Sequence, residues 1–203
     1  MKKLIAVLFL SLALFAPAFC AEMKNFSGSS AFVTDGTGTL AFPPASGVRT
    51  LTYLQVTTDL TSGNITFLTL ASTNDAIHSL DAAEAAGQTV ISVGSTVGFT
   101  VDDYVMLWDR STNLAEVGRI TSISAGVSIT LHTATSYAYE NGSRVYELET
   151  CGIIDNSTNT ANEGSEYWSD TNLFSVETWR PLGILTGATS ASNILASGYM
   201  NVN

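Results

Sequence analysis

The sequence predicts an all-β protein, a jelly-roll-like β-sandwich with a small β-barrel module inserted into it. Three observations predict it. From Gln88 to Leu148, short runs rich in β-branched and aromatic residues recur between turn residues at nearly regular spacing. Longer runs of the same kind lie on both sides of that stretch. A single short segment, Ser79–Gly87, has helical character. The expected organisation is residues 1–20 as a leader, 25–78 plus 150–203 as a discontinuous sandwich, and 88–148 as the inserted module.

The leader comes first. Met1-Lys2-Lys3 is followed by an apolar run from Leu4 to Phe15 and then by Ala16-Pro17-Ala18-Phe19-Cys20-Ala21. A basic start, a short apolar centre and small residues at a cut site describe a secretory signal peptide. The run is too short to cross a bilayer, which takes about 20 apolar residues. Cuts after Ala18 and after Cys20 both fit. Cys20 is favoured, because Pro17 then breaks the leader helix just before the site. The expected location is secreted, extracellular or at the cell surface, with no stable membrane anchor after processing.

Ala31–Thr34 and Thr39–Phe42 flank Asp35-Gly36-Thr37-Gly38, a hairpin signal, since glycine accepts the positive φ of such turns. Gly36-Thr37-Gly38-Thr39-Leu40-Ala41 matches a dinucleotide fingerprint in form, but Phe42-Pro43-Pro44 follows where a helix is needed. Pro43-Pro44 ends the pairing. Arg49–Thr57 reads as a long strand. Ile65–Ala71 reads as another, with Ile65 and Phe67 on one face and Leu68 and Leu70 on the other.

Ser79–Gly87 reads as a linker helix of two turns at most, capped by Ser79 and ended by Gly87. In the module, Tyr104-Val105-Met106-Leu107-Trp108 is apolar throughout and should be buried on both faces. Val127, Ile129 and Leu131 alternate with polar residues, so that strand should bury one face. Val176–Thr186 and Ser192–Tyr199 read as two final strands.

Composition narrows the partners. Net charge is −10, and it becomes −12 once the leader takes away Lys2 and Lys3. Nucleic acid and anionic membrane surfaces need a basic face and are excluded as partners. Cys151 is the only cysteine beyond the leader, so the fold relies on its core. Before Gly152-Ile153-Ile154 it reads as a small buried hydrophobe. The sequons at Asn25, Asn64, Asn141 and Asn156 are uninformative in so Ser/Thr-rich a chain.

Candidate sites fall in a polar, acidic stretch, Asp155–Asp170, expected to be a loop. Asp155, Ser157, Asn159, Glu163 and Glu166 stand at positions 1, 3, 5, 9 and 12 of an EF-hand-like loop. Thr160 replaces the glycine that a true EF-hand requires, which leaves a generic Ca²⁺ site against a plain solvated loop. Tyr167 and Trp168, with Trp179, have the chemistry of an aromatic platform for a sugar, although aromatics of β-proteins more often sit in the core. Catalysis has little to draw on. His78 and His132 are the only histidines, neither lies in a zinc motif, and no nucleophile elbow or C-x-x-C is present. Carboxylate pairs such as Asp102-Asp103 have the chemistry of an acid and a base, but adjacent strand residues point to opposite faces.

The central stretch also resembles a β-module common in phage virion proteins, especially tail and head-surface proteins, and in some secreted bacterial surface proteins. The matching residues are Gly87-Gln88-Thr89-Val90, Gly98–Val105, Glu116, Ile120–Ile123, Ile129–Leu131, Tyr137, Gly142 and Val145. Such modules often carry Gly-Asp before the buried strand, where this chain has Asp102-Asp103. The resemblance implies structural or adhesive work. The expectation is a secreted, non-enzymatic structural protein that forms a homo-oligomer or polymer, such as a filament or surface layer. Its arm would be Ala21–Ser30 or the tail Tyr199–Asn203, added as a strand to a neighbour. The alternative is a module that binds a glycan or surface ligand, with or without Ca²⁺.

Overall fold

The computed structural model describes residues 22–31, 38–58, 65–71, 77–154, 164–168, 174–176, 179–186 and 192–202. Within them every regular element is a strand. In order the strands are β1 (Glu22–Ala31), β2 (Gly38–Phe42), β3 (Gly47–Thr58), β4 (Ile65–Leu70), β5 (Ile77–Ser79), β6 (Val90–Ser92), β7 (Tyr104–Asp109), β8 (Leu114–Ser124), β9 (Ser128–Leu131), β10 (Arg144–Ile154), β11 (Gly164–Trp168), β12 (Phe174–Val176), β13 (Leu182–Thr186) and β14 (Ser192–Val202). They form two sheets in which every pair is antiparallel. One has the order β1-β14-β3-β11, with β12 also on β3; the other runs β2-β13-β4-β10-β7-β8-β9-β6, with β5 also on β10. The fold class is all-β, consistent with a sandwich.

β7 is the run expected to be buried on both faces, and Val105, Met106 and Leu107 have no exposed surface. Val105 and Leu107 join Ile91, Ile120, Ile129, Leu131 and Val145 in one core. Met106 faces the other way and joins Leu68, Val117, Tyr146, Leu148 and Leu185. The register agrees, since Val145 pairs with Leu107 and Tyr146 with Met106. Each such buried side chain contributes about 1.5–3 kcal/mol, so this short strand anchors two cores.

A third apolar face is made by Leu40, Phe42, Ile65, Phe67, Leu182 and Ile184, all buried on β2, β4 and β13. The opposite face of those strands closes over Val117 of β8. A Cβ on Gly183 would lie 3.3 Å from both Leu68 and Val117, so the sheet curls tightly onto itself there.

β10 is common to both halves of the large sheet. Arg144–Tyr146 lies between β5 and β7, while Leu148–Ile154 pairs with β4. Cys151 is the extra residue of a bulge between Thr150 and Gly152.

Four expectations change, and a fifth falls mostly outside the described residues. Residues 88–148, expected to form a barrel module, do not close into a barrel. β5 and β6 are three residues each and meet only through the Leu80–Val93 bridge, with Gly94 N–H on the Ser79 carbonyl at 3.0 Å. Ser79–Gly87 is not helical. Leu80 is buried at that bridge, and Glu84 exchanges backbone hydrogen bonds with Tyr139 at 2.8 and 2.9 Å, which outweighs a weak local propensity. The hairpin expected across Asp35–Gly38 cannot be followed on its first strand; of the described residues, Ala31 ends β1, which pairs with β14, and β2 pairs with β13. Residues 32–37 themselves lie outside the described residues. The strand expected over Val176–Thr186 is two, β12 and β13, interrupted where Trp179 takes a φ of 65° before Pro181. Val127 is 60% exposed rather than buried, because β9 begins at Ser128 and Val127 closes the preceding turn onto Ser124. Ile129 and Leu131 are buried as expected.

Candidate functional site

The acidic stretch read as a loop contains a strand. Gly164–Trp168 is β11, with Glu166 opposite Gln55, Tyr167 opposite Leu54 and Trp168 opposite Tyr53. Asp155, Asn159 and Glu163, the other expected calcium ligands, lie outside the described residues, as does Ser157. Among the described residues, no group of three or more His, Cys, Asp or Glu side chains is arranged to hold a metal ion. Trp179, the third aromatic of the expected platform, is 67% exposed, and its backbone N–H donates to the Ala45 carbonyl at 2.8 Å. His132 is exposed, while His78 is partly buried, edge-on to Phe99 with its Nε2 2.6 Å from the Val97 carbonyl.

The structure instead brings acidic residues together where β10 passes from β7 to β4. A cavity of about 440 Å³ opens there. Leu68, Ala71, Tyr104 and Leu148 give it an apolar wall, and Asp102, Asp103, Glu147 and Glu149 line it with carboxylates. Local geometry explains how Asp103 arrives. Asp102 holds a φ of 76°, the left-handed conformation in which glycine is at ease, so the Gly-Asp of similar modules has a physical counterpart here. The turn then lets the Asp103 carboxylate accept from the Thr100 N–H at 2.6 Å and the Thr100 hydroxyl at 2.8 Å. The Arg119 guanidinium lies 3.5 Å from Asp102, an exposed pair that contributes little. Burial pushes the Glu147 carboxyl up, and the neighbouring Asp103 and Glu149 push it further, to about 7.

Beside this cavity, β10 loses a neighbour. β7 stops at Tyr104, opposite Leu148. From Glu149 to Ile154, β10 pairs with β4 alone among the described residues. Cys151, expected to be buried, is exposed because it is the bulge residue of this open edge. Its thiol meets the Phe67 carbonyl at 3.3 Å, and partial burial with the charge of Glu149 pushes its pKa up to about 11.

The opposite end of β7 is also polar. Asp109 is 3% exposed. Its carboxylate accepts from the Ser111 N–H at 2.8 Å and the Ser111 hydroxyl at 2.9 Å. Burial opposes its charge, but these donors win and hold its pKa below the usual carboxylate value. Nearby, burial raises the pKa of Glu116 although the Ser136 N–H donates to its Oε2 at 2.8 Å. Burial and the Glu116 charge raise that of Tyr139. Glu116 and the Tyr139 hydroxyl also act on each other through a side-chain contact, and the Ser143 hydroxyl is buried without a hydrogen-bond partner among the described residues.

No family model matches the chain, and no curated protein matches it. Among solved structures, VP17, a capsid protein of bacteriophage P23-77, is similar at 12% identity, over 88% of this chain and 96% of that one, with a TM-score of 0.19. The VP16-VP17 complex of the two major capsid proteins of the same phage gives 11% identity, 88% and 99% coverage, and a TM-score of 0.18. The VP2 subviral particle of infectious bursal disease virus gives 12% identity over 88% of this chain and 38% of that one, with a TM-score of 0.15. TM-scores of this size establish no common fold, and these likenesses carry no functional weight.

Proposed function

We propose that this chain is an exported, non-enzymatic structural subunit that associates with copies of itself through the free edge of β1. The observation that carries the reading is the form of that edge. β1 pairs with β14 over Glu22–Ala31 without a bulge, and among the described residues it has no partner on its other side. From Asn25 to Ala31 its sequence is uncharged and without proline. Monomeric β-proteins protect long edges with lysine, proline or bulges, and this edge lacks them over most of its length. Export rests on the leader-like pattern of Met1–Ala21.

The two arms expected to be free in the monomer are strands of the small sheet, with Glu22 paired to Val202 and Ser30 to Ile194. Association therefore uses an edge already in place, so no strand has to leave the fold.

The test uses proline at Ser27 and, separately, at Gly28. Adjacent N–H groups on a strand point to opposite sides, so one proline removes a donor to β14 and the other a donor on the open side. The open-side variant is expected to melt like the parent and to lose assembly in light scattering and negative-stain microscopy. Assembly that survives both prolines, or a parent that stays monomeric at every concentration, would sink the reading.

A second reading, a glycan-binding module, is favoured by Trp179. A bulky residue at φ 65° that is 67% exposed carries backbone strain and displays a flat ring to solvent. A glycan array in which the parent and Trp179→Ala bind alike would remove it.

A further inference from the structure

Three buried polar side chains gather at the Asp109 end of β7. Glu116 of β8 pairs with Leu107, so it lies on the face of β7 that carries Leu107 and Asp109. Arg144 of β10 pairs with Trp108 on the other face, which puts Ser143, the residue before it, on the Asp109 face. Tyr139 packs in the core that holds Leu107 and Val145, and the charges of Glu116 and Asp109 both act on its hydroxyl. Tyr139 is 2% exposed and Ser143 5%.

Their hydrogen bonds do not close among themselves. Glu116 Oε2 accepts from the Ser136 N–H at 2.8 Å, which leaves Oε1 over. Glu116 and Tyr139 act on each other through their side chains, yet neither Oε1 nor the Tyr139 hydroxyl makes a direct hydrogen bond among the described residues. The Ser143 hydroxyl makes none either. Polar groups that act on each other without bonding directly are commonly bridged by water. Native interiors leave few polar atoms unpaired, so three in one place ask for one explanation. A water molecule accepts two hydrogen bonds and donates two. One molecule can therefore accept from the Tyr139 and Ser143 hydroxyls and donate to Oε1. A calcium ion would need about six to eight oxygens, and Asp109 is already held by Ser111.

We propose that Glu116 Oε1, Tyr139 and Ser143 form a binding site for one internal water molecule. The water joins β8 to the segment between β9 and β10. Backbone bonds also hold that segment, with the Glu84 N–H on the Tyr139 carbonyl at 2.8 Å and the Leu80 N–H on the Ser143 carbonyl at 2.9 Å. Together they fix the stretch of chain that leads into β10. The site does not depend on self-association.

Urea denaturation of the full-length chain tests it. A hydroxyl with no partner can be removed at no loss of stability, whereas one bonded to water cannot. Tyr139→Phe and Ser143→Ala should therefore each lower the urea midpoint, by roughly 0.5 M. The double variant should fall little below the worse single variant, because one water serves both hydroxyls. If Ser143→Ala leaves the midpoint unchanged or raises it, or if the two losses add in full, the proposal falls. A high-resolution crystal structure of the parent decides without any variant. A density peak about 2.7–3.2 Å from Glu116 Oε1 and from both hydroxyl oxygens is expected. Side chains bonded directly to one another with no peak between them, or a peak with the coordination of a metal ion, would overturn it.

Discussion

Asp109 and Glu147 sit at opposite ends of the same pair of strands, and their charges fare in opposite ways. Asp109 is almost wholly buried, and its carboxyl is nevertheless held below the usual range. Glu147 is only partly buried, and its carboxyl is pushed up to about 7. Burial raises both and is the largest single influence on each, so it does not separate them. The partners decide. Asp109 ends β7 at a turn that offers the N–H and hydroxyl of Ser111, whereas Glu147 faces Asp103 and has Glu149 two residues along its own strand. One end of the strand pair is built to hold a negative charge, and the other holds three carboxylates in mutual conflict.

The largest effect is expected at the satisfied end. Asp109→Ala removes an acceptor that is bonded to two Ser111 donors and should cost about 2 kcal/mol at pH 7, read from urea denaturation. Asp109→Asn keeps one acceptor oxygen and should cost roughly half as much. The sign with pH follows from linkage. A carboxyl lowered on folding contributes above its unfolded value of 3.8, and that contribution is lost as pH falls through the lower folded value. The gap between the parent and Asp109→Asn should therefore narrow below about pH 4. A gap that is flat down to pH 2 would mean that Ser111 does not favour the charged form.

The conflicted end should respond the other way. Glu147 binds its proton more tightly in the folded chain, so its contribution is full below the ordinary value of 4.5 and is lost as pH rises through about 7. Much of the side chain is in water, so solvent screening reduces the whole effect to about 1 kcal/mol. Glu147→Gln should match the parent at pH 4 and exceed it by about that amount at pH 8. Equal stabilities at both pH values would show that neither burial nor the charges of Asp103 and Glu149 hold its proton.

The difference between the two ends also marks what could be read from the sequence. The fold class was legible, because β7 is five apolar residues in a row and β9 alternates from Ile129. The Asp109 turn was legible in part, since Asp-x-Ser is a local pattern. The acidic cavity was not. Asp103 and Glu147 are far apart in sequence, and only the β7–β10 register brings them together. Glu147-Leu148-Glu149 gives a faint signal, two acids on one side of a strand. The Ser79–Gly87 helix failed for a similar reason, because the hydrogen bonds of Leu80 and Glu84 run to Ser143 and Tyr139. Local preference is weak evidence wherever a distant strand supplies a full set of partners.

The smallest change belongs to Cys151, and it tests how far the carboxylates reach. The thiol is exposed, which favours reaction, and its pKa of about 11 opposes it. At pH 8 its thiolate fraction falls to ~0.1%, against roughly a quarter for an ordinary cysteine of pKa about 8.5. The greater nucleophilicity of a more basic thiolate recovers about a tenfold factor. Iodoacetamide should therefore modify Cys151 about 20-fold more slowly than it does in urea. Burial is the larger cause and the Glu149 charge the smaller, so Glu149→Gln should quicken alkylation only a few-fold. A rate equal to that in urea would mean that neither reaches the sulfur. A rate unmoved by Glu149→Gln would confine the reach of the carboxylates to Glu147.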